Sequence, residues 1–116
     1  MKNEINKIGK EVIELQIKAL RKLKNSINSS FEEAVRAIKK CKSKVIICGV
    51  GKSGIIASKI SATLSSVGTP SFSILASDCS HGDLGRITSQ DILVLISNSG
   101  NTEELKNIIK YARLNK

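Results

Sequence analysis

The chain has 116 residues, of which 41% are hydrophobic, and this size suits one compact domain. No stretch approaches the roughly 20 apolar residues that cross a bilayer, and the charged N-terminus lacks the apolar region of a signal peptide, so we expect a soluble cytoplasmic protein. The net charge of +9 is concentrated in the first 44 residues, and only three residues are aromatic, which disfavours nucleic-acid binding.

Two amphipathic helices are predicted at the start of the chain. Apolar residues recur every three or four positions across residues 3–24, which is the spacing of one helical face. A polar break follows, and Ser30 with Glu33 has the spacing of a capping box that opens a second helix. We therefore expect residues 1–43 to form a helical lead-in that packs on a domain formed by residues 44–116.

From residue 44 onward, short apolar runs alternate with helical patterns. Strands are predicted over residues 45–48, 71–75 and 92–96, and helices over residues 54–66 and 102–114. This alternation is typical of a doubly wound, Rossmann-like α/β domain with a parallel sheet, whose ligands bind beyond the carboxyl ends of the strands. Because only three strands are predicted and the chain ends after a helix, we expect either a truncated domain or a sheet that a partner completes.

The first candidate site residues lie in the turn from Gly49 to Gly54, which follows a strand, opens a helix and fits G-x-G-x-x-G. A nucleotide-binding P-loop would require glycine at Ile46, and a dinucleotide site would require an acid at the end of the next strand, which is apolar. Lys52 adds a cation where a helix N-terminus already favours anions, so it suits a phosphate or an enediolate oxygen. The alternative is a solvated surface lysine.

A second polar segment, residues 97–104, also joins a strand to a helix. Its hydroxyl groups and main-chain amides are suited to hold a phosphate, and Gly100 lets the backbone pass close to a ligand. The alternative is ordinary helix capping, for which Thr102 and Glu103 would suffice without Ser97 and Ser99.

His81 and Glu104 are the candidate proton-transfer groups. His81 lies in the polar loop between the second and third strands, and it exchanges protons near neutral pH. Glu104 lies one turn into the last helix, where its carboxylate can act as a base. One histidine with scattered acids has no metal-ligand spacing, and Cys41, Cys48 and Cys79 lack the C-x-x-C pattern, so we expect packed thiols and no metal site.

Four ordered motifs together resemble the sugar isomerase (SIS) domain of the bacterial D-arabinose 5-phosphate isomerase family. They are residues 49–54, 68–72, 81–85 and 97–100. The resemblance implies a doubly wound SIS fold, interconversion of arabinose 5-phosphate and ribulose 5-phosphate on the route to the Kdo sugar of lipopolysaccharide, and no cofactor. It also implies a homo-oligomer, a dimer or tetramer, because family sites draw on neighbouring subunits.

The resemblance further implies roles for particular residues. Lys52 and Glu104 match catalytic positions, with Lys52 expected to stabilise an oxyanion and Glu104 to transfer protons, and His81 is a further catalytic candidate. The expected phosphosugar contacts are Gly51, Ser53, Gly68, Thr69, His81, Ser97, Asn98, Ser99 and Thr102.

The sequence also departs from the family's pattern. Leu75 stands where relatives commonly carry a zinc-associated histidine, and residues 78–80 differ from the usual glutamate-containing stretch. The family continues into further strands that hold other catalytic positions. Two alternatives to an isomerase stay open at this point: a sugar-phosphate sensor on the same fold, and a dinucleotide-binding domain.

Overall fold

A computed structural model describes residues 1–79 and 82–115. His81 therefore lies outside the described residues. The chain divides into two compact units, Met1–Arg36 and Ala37–Lys116. The elements are, in chain order, α1 (Lys2–Lys24), α2 (Ser29–Lys40), β1 (Val45–Gly49), α3 (Lys52–Ser66), β2 (Ser71–Leu75), α4 (Ala76–Cys79), a 3₁₀ turn (Asp83–Arg86), β3 (Ile92–Ile96) and α5 (Glu103–Asn115).

The three strands form one parallel sheet in the order β2-β1-β3. Val45 pairs with Ser71 on one side and Ile92 on the other, so all three strands begin at the same edge. β1 is the central strand, and each of its five residues is buried, as expected for a strand covered on both faces. The predicted α/β fold with a parallel sheet is confirmed, and the predicted strand limits match to within one residue.

Helices cover both faces of the sheet. On one face, Val45 and Ile47 pack with Ala57 of α3. On the other face, the buried cluster consists of Ile46, Cys48, Ile74, Ala76, Cys79, Leu105 and Ile108, which joins β1 and β2 to α4 and α5. The alternation of consecutive β1 side chains between these two clusters follows from the period of two along a strand. The domain is therefore doubly wound, as predicted.

The start of α2 differs from the sequence prediction. Asn28 Oδ1 accepts hydrogen bonds from the main-chain N–H groups of Ser30 (3.0 Å) and Phe31 (3.4 Å), and the helix begins at Ser29. The predicted capping box of Ser30 and Glu33 is therefore wrong. Asparagine caps helices as well as serine does, and here Asn28 lies one residue before the first helical position. In the described chain, neither α1 nor α2 has a fully buried residue.

A buried carboxylate joins the segments that precede β1 and β3. The Asp91 side chain is 0% exposed and accepts hydrogen bonds from Ser43 Oγ (2.6 Å), the Thr88 main-chain N–H (2.8 Å) and Lys44 Nζ (3.0 Å). Burial by itself would raise the pKa of Asp91, but these hydrogen bonds hold that pKa well below its usual range. This cluster lies at the amino-terminal edge of the sheet and fixes where two strands begin.

Among the described residues, no helix combines the length and the hydropathy needed to cross a membrane.

Candidate functional site

The strand order creates one place where two loops diverge. From β1 the chain passes through α3 to β2 on one side, and it then crosses to β3 on the other side of β1. Gly49 and Ile96 are paired at the ends of β1 and β3, so the loops that follow them start side by side. In open α/β sheets, such a switch point at the carboxyl edge forms a crevice that binds ligands. Both segments that the sequence analysis selected begin there.

The first loop turns tightly from β1 into α3. A Cβ atom on Gly49 would lie 2.5 Å from the main-chain carbon of Ser53 and 2.6 Å from its oxygen, so only glycine fits at this position. Gly51 has a φ of +57°, a conformation that glycine adopts without strain. This turn places the N-terminus of α3 directly beyond β1, with Ser53 half-buried and Lys52 exposed at the first helical position.

The second loop, residues 97–102, is held by its own hydroxyl groups. Ser97 Oγ lies 2.9 Å from Thr102 Oγ1 and accepts a hydrogen bond from the Gly100 main-chain N–H at 3.0 Å. Ser99 Oγ accepts a hydrogen bond from the Asn101 main-chain N–H at 3.1 Å. Ser97 and Ser99 thus have structural contacts that the sequence analysis did not predict.

These contacts leave the loop able to bind an anion. A hydroxyl that accepts from a main-chain N–H keeps its own proton, so Ser99 can still donate one hydrogen bond to a ligand. Whichever oxygen donates in the Ser97–Thr102 contact, the other hydroxyl of that pair keeps a free proton. Asn98 and Ser99 are exposed, and the N-terminus of α5 follows directly. Hydroxyl donors and a helix N-terminus together favour a phosphate.

Glu104 lies at a cavity between α4 and α5. The cavity has a volume of about 200 Å³ and is lined by Ala76, Ser77, Cys79, Leu84, Glu104, Asn107 and Ile108. Its lining is mainly apolar, and among the described residues that line it the exposed Glu104 is the single acidic one. The sequence pattern predicts a polar loop between β2 and β3, whereas α4 forms directly after β2 and supplies one wall of the cavity. His81 follows α4 by two residues in the sequence.

Gly68 and Thr69 lie at the opposite edge of the sheet from Lys52. They follow the C-terminus of α3 and precede β2, so the length of a five-residue strand, roughly 15 Å, separates them from the switch point. Gly68, with a φ of +95°, donates its main-chain N–H to the Ser65 oxygen, and Thr69 donates to the Leu64 oxygen at 2.9 Å. This is a Schellman motif, which explains both residues as a helix end. Their expected sugar contact stays a prediction and would require a second chain.

Cys48 and Cys79 meet beneath the carboxyl edge of the sheet. Both side chains are buried, at 1% and 5% exposure, and they belong to one packed cluster, in which Cys79 Sγ donates to the Leu75 main-chain oxygen at 3.7 Å. Burial raises the pKa of Cys48 to about 12, with a further contribution from Cys79, and burial also raises the pKa of Cys79. The expectation of packed thiols is met at these two positions. Among the described residues, no three His, Cys, Asp or Glu side chains group as metal ligands would.

The fold and the switch-point loops define a class: a doubly wound α/β domain with two polar loops at the carboxyl edge of its parallel sheet. The model of the SIS domain family matches residues 37–116 of the chain. The chain therefore belongs to the SIS domain family.

The chain is similar to several longer proteins. It is 42% identical over 113 residues to the arabinose 5-phosphate isomerase KdsD of Yersinia pestis, covering 97% of this chain and 34% of that protein. An uncharacterized Rickettsia prowazekii protein is 46% identical over 109 residues, covering 94% of this chain and 34% of that protein. The chain thus spans about a third of these relatives.

A solved structure of an Escherichia coli CFT073 protein, in complex with arabinose 5-phosphate, superposes with a TM-score of 0.92 at 36% identity. The superposition covers 99% of this chain and 61% of that one.

Proposed function

We propose that this chain supplies part of a phosphosugar site and that its protein interconverts D-arabinose 5-phosphate and D-ribulose 5-phosphate. The observation that carries the proposal is the pairing of two polar loops at the switch point between β1 and β3, one with Lys52 and the other with a hydroxyl cluster. The similarity to KdsD proteins, and to a structure that holds arabinose 5-phosphate, supports this choice of sugar.

The phosphate is bound by the second loop. Ser99 and the free hydroxyl of the Ser97–Thr102 pair donate to phosphate oxygens, and Asn98 lies exposed beside them. The phosphate is remote from the reacting carbons, so its binding energy holds the sugar in place for the reaction. Gly51 and Ser53 line the same crevice from the first loop.

The chemical step moves a proton between two adjacent carbons through an enediolate. A base must take the proton, and a cation or donor must stabilise the oxygen that becomes negative. We assign proton transfer to Glu104, with His81 as a second group, and oxyanion stabilisation to Lys52. Lys52 and Glu104 each lie in the first turn of a helix that starts at the carboxyl edge.

Variants of these two residues test the assignment. Lys52→Ala and Glu104→Gln should each lower kcat by about 100-fold or more, the usual effect of losing a charged or proton-transferring group. The controls are Lys59→Ala and Glu103→Gln, which remove exposed charges of the same sign from the same helices and should leave turnover within about twofold. Unchanged turnover in Lys52→Ala or Glu104→Gln would refute the assignment.

A sugar-phosphate sensor on the same fold is the second candidate. The observation that favours it is the mainly apolar cavity beside Glu104, because a proton-transfer site needs polar groups around the sugar. A sensor binds arabinose 5-phosphate without consuming it, so calorimetric binding combined with a turnover assay separates the two functions.

The remaining features of the proposal follow the family. We place the activity in the cytoplasm, on the route to the Kdo sugar of lipopolysaccharide, and in a homo-oligomer. An oligomer would also allow Gly68 and Thr69 of one chain to approach the crevice of another, since they cannot reach the crevice of their own.

A further inference from the structure

The segment from Asp83 to Asp91 returns the chain from the carboxyl edge of the sheet to its amino edge. It comes after α4, which starts where β2 ends, and it stops directly before β3 begins. The strands are parallel, so this connection has to cross one face of the sheet. Leu84 and Ile87 point into that face, since both pack against the buried cluster that joins the strands to α4 and α5.

The start of this segment has little of its own to hold it. A Cβ atom placed on Gly82 or Gly85 would meet no described atom within 4 Å. The Gly85 N–H donates to the Gly82 oxygen, and the Ile87 N–H donates to the Leu84 oxygen, both at 3.1 Å. These bonds close only a short 3₁₀ turn, Asp83–Arg86, and a turn of this length is not stable in isolation. Contacts with the rest of the domain must therefore fix it.

Arg86 makes such a contact. Its guanidinium carbon lies 4.4 Å from the centroid of the Phe72 ring in β2. The negative face of an aromatic ring attracts a cation, and the flat guanidinium group also stacks well on it. Arg86 is exposed and Phe72 is half-buried, so the arginine covers the outer side of the ring. This contact ties the end of the turn to a strand that precedes it by more than ten residues.

The same turn borders the cavity at Glu104. Leu84 lies two residues before Arg86, and it forms one wall of the cavity of about 200 Å³ that Glu104 also lines. A shift of the turn therefore moves this wall relative to the Glu104 side chain. Reaction rates depend steeply on placement of this kind, and a displacement of about 1 Å can cost about 100-fold.

We propose that Arg86 is a positioning residue for the site at Glu104. Its contact with Phe72 fixes the turn, and the turn in turn fixes the Leu84 wall of the cavity. The inference rests on the proposed function, because it concerns the residue to which proton transfer is assigned. The phosphate is assigned to a different loop, residues 97–102, so losing the contact should lower kcat and leave KM nearly unchanged.

Amide hydrogen exchange tests the anchor without any assay of activity. The probes are the Gly85 and Ile87 N–H groups, which donate within the turn. Arg86→Ala and Phe72→Leu each remove one partner of the contact. Each should lower the protection of these amides at least twofold, because an exposed cation–ring contact changes an equilibrium constant about two- to fivefold.

A double variant and a control make this test specific. Both substitutions remove the same contact, so the double variant should be no less protected than Phe72→Leu alone. Arg113→Ala removes an exposed arginine from α5 and should leave the protection of the turn unchanged. Unchanged protection in Arg86→Ala, or a double variant in which the two single losses multiply, would overturn the anchor.

Turnover of arabinose 5-phosphate tests the positioning role, with circular dichroism as the check of folding. Arg86→Ala should lower kcat at least threefold with KM within twofold, and Arg86→Lys should recover part of kcat, because an ammonium group also binds over a ring. A smaller fall in kcat, or no recovery in Arg86→Lys, would refute the role of Arg86. A folded wild-type protein without turnover would instead contradict the proposed isomerase function, and the exchange measurement would then decide the anchor alone.

Discussion

The turn at Gly49 offers the sharpest test of how the fold builds the site. An added methyl group in Gly49→Ala would lie 2.5 Å and 2.6 Å from main-chain atoms of Ser53 and 2.8 Å from the Gly54 nitrogen. Main-chain atoms of a helix start cannot rotate away as a side chain would, so α3 must shift. Overpacking costs about 1–3 kcal/mol, and contact with three main-chain atoms places this variant at the upper end, about 3 kcal/mol.

Urea unfolding followed by far-UV circular dichroism measures this cost. With a slope of about 2 kcal/mol/M, a loss of about 3 kcal/mol lowers the midpoint by about 1.5 M. The control is Gly85→Ala, because a methyl group added at Gly85 would meet no described atom within 4 Å. We expect the unfolding free energy of this variant to stay within about 0.5 kcal/mol of the wild-type value. A Gly49→Ala midpoint equal to that of Gly85→Ala would refute the claim that this turn has no room for a side chain.

Further outcomes follow from a buried carboxylate, two buried thiols and the glycine that ends α3. Asp91→Asn should lose about 2 kcal/mol of stability at pH 7, since hydrogen bonds to a charged group are worth about 1.5–3 kcal/mol. Because the pKa of Asp91 is lowered in the folded state, its contribution to stability is complete above the ordinary aspartate pKa of about 4 and is lost as the pH falls further. The urea midpoints of the wild type and Asp91→Asn should therefore converge in acid. A gap between them that stays constant with pH would contradict this. Cys48 and Cys79 should resist thiol labelling at pH 8 until urea unfolds the chain, since burial raises both pKa values; rapid labelling of the native protein would contradict this. Gly68→Ala should cost about 1 kcal/mol, because its φ is +95°; an unchanged urea midpoint would contradict that.

The three strands could be predicted because their signals are local. The three apolar runs are bounded by glycine or polar residues, and buried parallel strands require such runs. The two site loops could also be predicted, since each follows a strand and opens a helix. The sequence pattern alone therefore predicts that Lys52 and Glu104 lie at the carboxyl edge of the sheet.

The remaining features depend on contacts between distant residues, which periodicity does not encode. Asp91 contacts Ser43 and Lys44 across nearly half the chain, and nothing near Asp91 in the sequence indicates that its carboxylate is buried. The contact between Cys48 and Cys79 depends on α4, a helix of four residues that is too short to show a period. The α2 cap could have been found, because Asn28 is as good a capping residue as Ser30.

The most direct test of the central claim is a titration of arabinose 5-phosphate into ¹⁵N-labelled protein, followed by the amide resonances. We expect the largest shifts in residues 49–54 and 97–104, which flank the switch point between β1 and β3. The α1 amides should not move. Shifts confined to other parts of the chain, or no shifts at saturating sugar phosphate with the fold intact, would contradict the placement of the phosphosugar at this crevice.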